Sequence, residues 1–450
     1  MIRFLAVAIV LAACATPPGE EVARAQLPDL PPLRSFTTAE VTPPQRSNRE
    51  IASNFMDLAF RLESGRTLDV FTRFEGPLTI RVSGAVPPTV SADLGRLLAR
   101  LRSEAGLNIA TVTGDDAAIT IEFLPRQTMQ RFVPKAACFV APRVGSWEEY
   151  RRVRRDALDW STLQTRTRAT IFIPNDMPPQ EIRDCLHEEL AQALGPLNDL
   201  YELPDSVFND DNIHTVLTGF DMLILRAYYA PELQSGLTAQ AVASYLPGIL
   251  ARLNPRGEGI GGAVAEPTPR AYVEAIETAL GPGSAGPRRR AAIRRAIDIA
   301  EARGWNDTRT GFAWLALGRL SLGSDPEDAV AAFARAAQIY HADPRLSLQS
   351  AHADMQLAAY ALTAGQAEDA LQLTSRALPH AAAAENAALL STLLMIRAEA
   401  LDLVGRASEA RQVRLDSLGW ARYGFGSDAE VRARLKGIAA LSPAQRQGRT

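Results

Sequence analysis

Apolar residues at Ile51, Phe55, Leu58 and Leu62 recur at helical spacing and predict an amphipathic helix over about 48–63. A second such stripe, Leu94, Leu97, Leu98 and Leu101, predicts a helix over 92–102. Strict alternation of apolar and polar positions predicts strands at 78–82, 119–123 and 169–173, with a shorter one at 137–140. A helix is expected to follow from near Pro179, and another to open at 217–221 and close at Tyr229. This order of elements is α+β, a twisted sheet backed by helices, and it is assigned to residues 49–255.

The pattern then changes. Residues 256–284 are rich in Gly and Pro and read as a linker holding one short helix at about 270–280. From 285 to 440 Ala, Leu, Arg and Glu dominate and β-branched runs vanish, which predicts an all-α region. Within it the stretch from Leu315 to Phe333 is echoed by Leu357 to Leu373 and by Ile396 to Val413. Gly323, Gly365 and Gly405 fall near the ends of the first helices, and Glu-Asp-Ala or Ser-Glu-Ala opens each second one. Three recurring helix pairs of this kind resemble tetratricopeptide repeats, whose usual period of about 34 residues is exceeded here by longer loops. A helix at about 288–303 is expected to cap the first pair. Such a stack implies a concave groove for a protein or peptide partner.

The N-terminus carries an address. Arg3 precedes an unbroken apolar run from residue 4 to 13, too short to cross a bilayer but suited to a signal peptide. It ends in Leu11-Ala12-Ala13-Cys14, which resembles the lipobox of bacterial lipoproteins. The resemblance implies cleavage after residue 13 and a lipid on Cys14, hence attachment to the bilayer. With Ala15 rather than Asp next, it implies the periplasmic face of the outer membrane. Residues 14–48, with Leu30-Pro31-Pro32 and Thr42-Pro43-Pro44, read as a disordered Pro-rich tether.

A net charge of −3 over 450 residues provides no electrostatic footprint for nucleic acid. With Cys14 lipidated, Cys138 and Cys185 remain, either as one disulfide in an oxidising compartment or as two buried thiols. No C-x-x-C pair suggests a zinc site.

The chemistry concentrates in the helix Ile182-Arg183-Asp184-Cys185-Leu186-His187-Glu188-Glu189-Leu190-Ala191-Gln192-Ala193-Leu194-Gly195-Pro196-Leu197-Asn198-Asp199. Read from His187, a zinc-peptidase helix would need a second His at position 191, which is Ala. Shifted by one residue, the string Glu188-Glu189-x-x-Gln192-x-x-Gly195-x-x-Asn198-Asp199 resembles the H-E-x-x-H-x-x-G-x-x-H signature of metzincin metallopeptidases. The resemblance puts Glu189 in the general-base position and Glu188, Gln192 and Asn198 where that family has its histidine ligands. It extends to Pro204-Asp205-Ser206-Val207-Phe208, with Phe208 at the turn methionine, and to the helix from Leu217 to Tyr229.

Three histidine ligands are impossible, since only His187 and His214 lie in this region and amide oxygens bind Zn²⁺ poorly. No cofactor is expected and zinc is disfavoured. Glu188, Gln192, Asn198 and Asp199 are expected to form a hydrogen-bonded polar cluster in the former cleft. His187 is expected on the helix surface or behind the site, and the acidic loop 209–214 in solvated turns, with calcium as the sharper alternative. His341, His352 and His380 are expected to face solvent, and Arg288–Arg290 with Arg294 and Arg295 to form a solvated basic face.

The combined pattern E-E-x-x-Q-x-L-G-x-x-N-D, S-x-F-N-D-D and F-D-M-L-x-L-R-x-Y-Y also resembles a family of bacterial lipoproteins and secreted proteins known only as a domain of unknown function. The expected role is therefore a non-catalytic, pseudo-peptidase binding or scaffolding protein. The alternative is a metal-dependent hydrolase with an atypical site built from Glu188, His214 and Asp199 around Glu189.

Overall fold

A computed structural model describes residues 30–36, 42–262 and 264–443. Cys14 and its lipobox lie outside the described residues. Among those described, no helix is long and apolar enough to cross a membrane.

The first half is built on a five-stranded mixed sheet of order β2-β1-β3-β5-β4. β1 (Leu78–Gly84), β2 (Ile109–Thr111), β3 (Ile119–Leu124) and β5 (Ala169–Pro174) run parallel. β4 (Phe139–Pro142) pairs antiparallel with β5 at one edge. The alternation legible at 78–82, 119–123 and 169–173 corresponds to β1, β3 and β5. β5 is buried along its whole length, as a central strand covered on both faces must be. α1 (Asn48–Phe60) packs on α7 (Ala239–Leu253). α2 (Val90–Ser103) packs against α5 (Pro179–Leu194), which lies on β4 and β5. α3 (Arg126–Gln130) and α4 (Trp147–Arg152) are short, and α6 (Gly219–Tyr228) packs on α7. The two ends of this half are stitched together: Asn48 Nδ2 donates to the Asn254 carbonyl at 3.1 Å, and Asn254 Nδ2 returns a bond to Asn48 Oδ1 at 2.9 Å.

The second half is all helical. α8 (Arg270–Leu280) pairs with α9 (Gly286–Ala302), α10 (Thr308–Ser321) with α11 (Pro326–His341), α12 (Ser347–Thr363) with α13 (Ala367–Ala383), and α14 (Ala387–Leu403) with α15 (Ala407–Phe425), before α16 (Asp428–Ala439). The short helix expected in the linker is thus the first arm of a hairpin, and Tyr272, Ala275, Ile276 and Ala279 place it in the helical core. Gly365 and Gly405 close α12 and α14 with φ of 76° and 80°. The next amide then bonds back to the helix, Gln366 to Ala361 at 2.8 Å and Arg406 to Leu401 at 2.9 Å. At the end of α13 the same left-handed position is held by Glu385, φ 53°, with Asn386 N bonding to Ala381 O at 3.0 Å. A side chain there is strained by about 1–2 kcal/mol.

Two sequence expectations are corrected by the way the halves meet. The first helices of the hairpins do not line an open groove. Gln349 of α12, fully buried, donates to the Pro204 carbonyl at 2.6 Å, and Phe312 of α10 stands beside Tyr201. At the start of α14, Asn386 and Ala388 bond to Gln180 of α5. The α/β half therefore covers the face expected to receive a partner. The tether expected over 14–48 is also packed where it is described. Phe36 stacks on Trp420 at 4.6 Å, Arg34 N donates to Gly419 O at 3.1 Å, and Arg46 is 1% exposed, paired with Asp205 and lying over Phe220 at 3.9 Å. Proline there rigidifies an extended strap whose apolar and cationic side chains find partners.

Candidate functional site

α5 carries the residues the sequence singles out. Pro179 opens it with a φ already suited to a helix, and Ile182, Leu186 and Leu190 bury against the sheet. The Cys138–Cys185 disulfide ties it to the residue before β4, with a Cα–Cα distance of 6.1 Å. Its C-terminal end is closed from outside. The buried guanidinium of Arg166 donates to the carbonyls of Gln192 at 2.7 Å, Ala193 at 2.8 Å and Gly195, while Tyr229 Oη donates to Leu194 O at 2.9 Å. Four carbonyls that a helix end leaves orphaned are thereby satisfied. Arg166 has no carboxylate partner among the described residues; the negative end of the helix dipole takes that role. A Cβ at Gly195 would lie 2.8 Å from the Tyr228 ring, so the glycine is required by close packing.

The positions along α5 diverge in fate. His187 is 4% exposed rather than on the helix surface, and its Nδ1 accepts from Leu217 N at 3.1 Å. Burial and three neighbouring arginines hold its pKa well below the usual value, so the ring is neutral. Asn198 Nδ2 donates to Asp57 O at 3.1 Å. Gln192 is buried on the same helix. Glu189 is 5% exposed; its Oε2 has no hydrogen-bond partner, and an amide at Val140 bonds to the carboxyl. Burial, then the charges of Glu188 and Glu63, push its pKa well up. Burial, Asp210, Glu63 and Asp184 raise Glu188 to about 8. Asp199 is raised by burial and by Glu63, with which it shares a hydrogen bond, so one of the two carboxyls holds a proton.

Glu188, Glu189 and Asp199 thus belong to one cluster, but their neighbours there are not the expected Gln192 and Asn198. They are Glu63, just beyond α1, and Asp210. The cluster backs a cleft of about 460 Å³ at the seam between the halves. Its walls carry six acids, Asp57, Glu63, Asp199, Glu202, Asp210 and Glu277, against the rim arginines Arg61 and Arg270. Sequence reasoning missed Glu63, Glu202, Asp210 and Glu277 because they come from four separate segments, and no spacing rule links them. The one available signal was Glu202 and Asp210 flanking the turn at 204–208.

His214 lies elsewhere. Its Nε2 faces the Pro204 carbonyl at 3.2 Å, and it lines a second seam cavity of about 260 Å³ with Arg100, Arg345 and His380. A site combining His214 with Glu188 and Asp199 is therefore not assembled. The loop 209–214 is stitched by its own side chains rather than solvated: Asn209 Nδ2 donates to Leu203 O at 2.7 Å, Asp211 Oδ1 accepts from Ile213 N at 3.0 Å, and Tyr201 Oη donates to Asp210 at 2.8 Å. Ser206 of the expected turn donates to Asp221, which also caps α6 through Thr218. His352 has both ring nitrogens closed off without partners, a departure from the solvent-facing expectation, whereas His341 is exposed beside Asp354.

The donor set does not fit zinc. The one imidazole on α5 has its Nδ1 occupied, the 198 position offers an amide already bonded to Asp57, and the carboxyls spread around a cleft. Among the described residues no three His, Cys, Asp or Glu side chains are grouped so as to hold a metal ion. What the arrangement does provide is a pocket of carboxyls without enough cations.

No curated protein and no solved structure matches the chain. The stretch that holds α1, the sheet, α5, α6 and most of α7 does have relatives: residues 48–248 are a domain of the family described as "Protein of unknown function (DUF2927)".

Proposed function

We propose that this chain is a lipid-anchored envelope protein that binds a protein or peptide partner without cutting it, a pseudo-peptidase scaffold. The anchor is a lipid on Cys14, and the body stands at the periplasmic face of the membrane. Residues 49–255 are read as a degenerate metzincin-like domain, supported by the glycine ending α5 and the Ser206–Asp221 turn that follows it. The helical half is read as tetratricopeptide-like, supported by hairpins opening at Thr308, Ser347 and Ala387. It frames the α/β half, leaving the seam cleft as the place where a partner is met.

The observation that carries the reading is Glu189. A general base must be ionised and able to reach water. Here the carboxyl is enclosed and held in its neutral form by burial, Glu188 and Glu63. The test is metal analysis and peptide turnover on the full chain purified in detergent. The expected result is sub-stoichiometric metal and no cleavage. Stoichiometric metal with cleavage abolished by Glu189→Gln would sink the proposal and establish the hydrolase instead. Cys14→Ser should release the chain from membranes; unchanged membrane retention would remove the anchor.

A further inference from the structure

The seam cleft has more negative groups than it can neutralise. Asp57 is paired with Arg61 at 3.2 Å, and Glu277 with Arg270 at 3.1 Å, both at the rim. Glu63, Asp199, Glu202 and Asp210 line the interior, and none of the four is in an ion pair among the described residues. Two oxygens are left over in addition. Asp199 Oδ1, on the wall, is closed from solvent without a partner. Glu189 Oε2 is likewise unpartnered in a side chain more than nine-tenths buried, and its charged neighbours are Glu188 and the wall residue Glu63. A buried acceptor left without a donor costs about 1–3 kcal/mol, more when charged, so such a group is explained by whatever supplies the donor.

The acids are dispersed around a cleft of about 460 Å³ and no three converge on a point. A compact metal ion needs oxygens at about 2–2.6 Å from one centre. An organic cation does not, because its several N–H donors point in different directions and meet separated carboxylates. We propose that the cleft between the two halves binds an organic cation, an ammonium or guanidinium group at the end of a flexible chain, with Glu63 and Asp199 as its principal acceptors and Glu202 and Asp210 completing the walls. This rests on the binding reading above and names what is bound. The group can arrive as a basic side chain of a peptide or as a free polyamine.

The test is calorimetric titration of the full chain in detergent with three probes: spermidine, acetyl-Gly-Lys-Gly-amide and its norleucine counterpart. At least one cationic probe should bind. The double variant Glu63→Gln/Asp199→Asn should weaken it tenfold or more, while Asp298→Asn/Glu301→Gln, on the exposed face of α9, should leave it unchanged. If the double variant does not fold, Glu63→Gln alone should still weaken binding at least threefold. Lysine peptide bound and norleucine peptide ignored assigns the site to a side chain; spermidine alone assigns it to a free polyamine. Absence of binding by both cations, or equal binding by the cleft and control variants, overturns the inference. Recovery of the peptide intact or cut is read separately: cleavage would remove the non-catalytic reading while leaving a cation site in place.

Discussion

Arg166 offers the sharpest quantitative test of how α5 is held. Its guanidinium is buried, has no carboxylate partner among the described residues, and holds the carbonyls of Gln192, Ala193 and Gly195. Arg166→Met keeps the aliphatic bulk and leaves three carbonyls without that donor. Each unsatisfied group costs about 1–3 kcal/mol, and the lost charge at the helix end up to about 2 kcal/mol. Relief from desolvating a lone guanidinium offsets part of this. The net loss should be about 3–5 kcal/mol, which lowers a urea midpoint by about 1–1.5 M for a slope near 3 kcal/mol/M. Arg166→Lys, whose ammonium reaches fewer carbonyls at once, should lose about half as much. The assay is urea unfolding followed by circular dichroism, with hydrogen exchange at 192–195 as the local readout. A Met variant within about 1 kcal/mol of the parent, with protection at 192–195 intact, would refute the reasoning, since the carbonyls would then have other donors.

Further outcomes follow from the same geometry. Replacing Cys138 and Cys185 with Ala opens a loop of 47 residues and should cost about 4 kcal/mol by chain entropy, read as a lower melting temperature that reductant reproduces in the parent. Glu385→Gly relieves left-handed strain but deprives buried Arg183 of its carboxylate at 3.2 Å; a net loss of about 2 kcal/mol is expected, and a stabilised variant would show that the strain dominates. For pH, Glu188 is raised to about 8 and Asp184 and Asp211 to about 7, so the stability they contribute is full below their ordinary carboxyl range and is lost as pH rises through 7–8. His214 and His352, lowered to about 4 and about 3, act oppositely: their contribution is present above about 6.5 and falls away in acid. Melting temperature should therefore peak near pH 6 and drop by pH 9, the alkaline drop being smaller in Glu188→Gln; a flat profile from pH 6 to 9 would contradict the shifts.

Much of the framework was legible because periodicity is a local signal. β1, β3 and β5 announce themselves by alternation, and the three hairpins by recurrence with Gly365 and Gly405 at their turns. The disulfide was open to inference from two remaining cysteines. What stayed hidden is non-local. β2 is three residues long, too short for any period. The burial of His187 depends on an amide 30 residues away at Leu217. The acidic cleft is assembled from α1, the segment after α5, the 204–211 region and α8, so its members carry no mutual spacing. The strap misled for a compositional reason. Proline and threonine read as disorder until Phe36, Arg34 and Arg46 are seen to have docking partners.

That strap has a mechanical consequence. Leu30 and Pro31 lie against the helical half, Arg422 holding the Pro31 carbonyl at 2.9 Å, and Arg34 is bonded to α15 before the chain reaches α1. Tension applied at residue 30 is therefore borne first by contacts on α15 and only afterwards by Arg46, Asp205 and the Asn48–Asn254 stitch. The helical half acts as a strain relief, and a tug from the N-terminal side should peel the strap from α15 while the seam cleft keeps its shape.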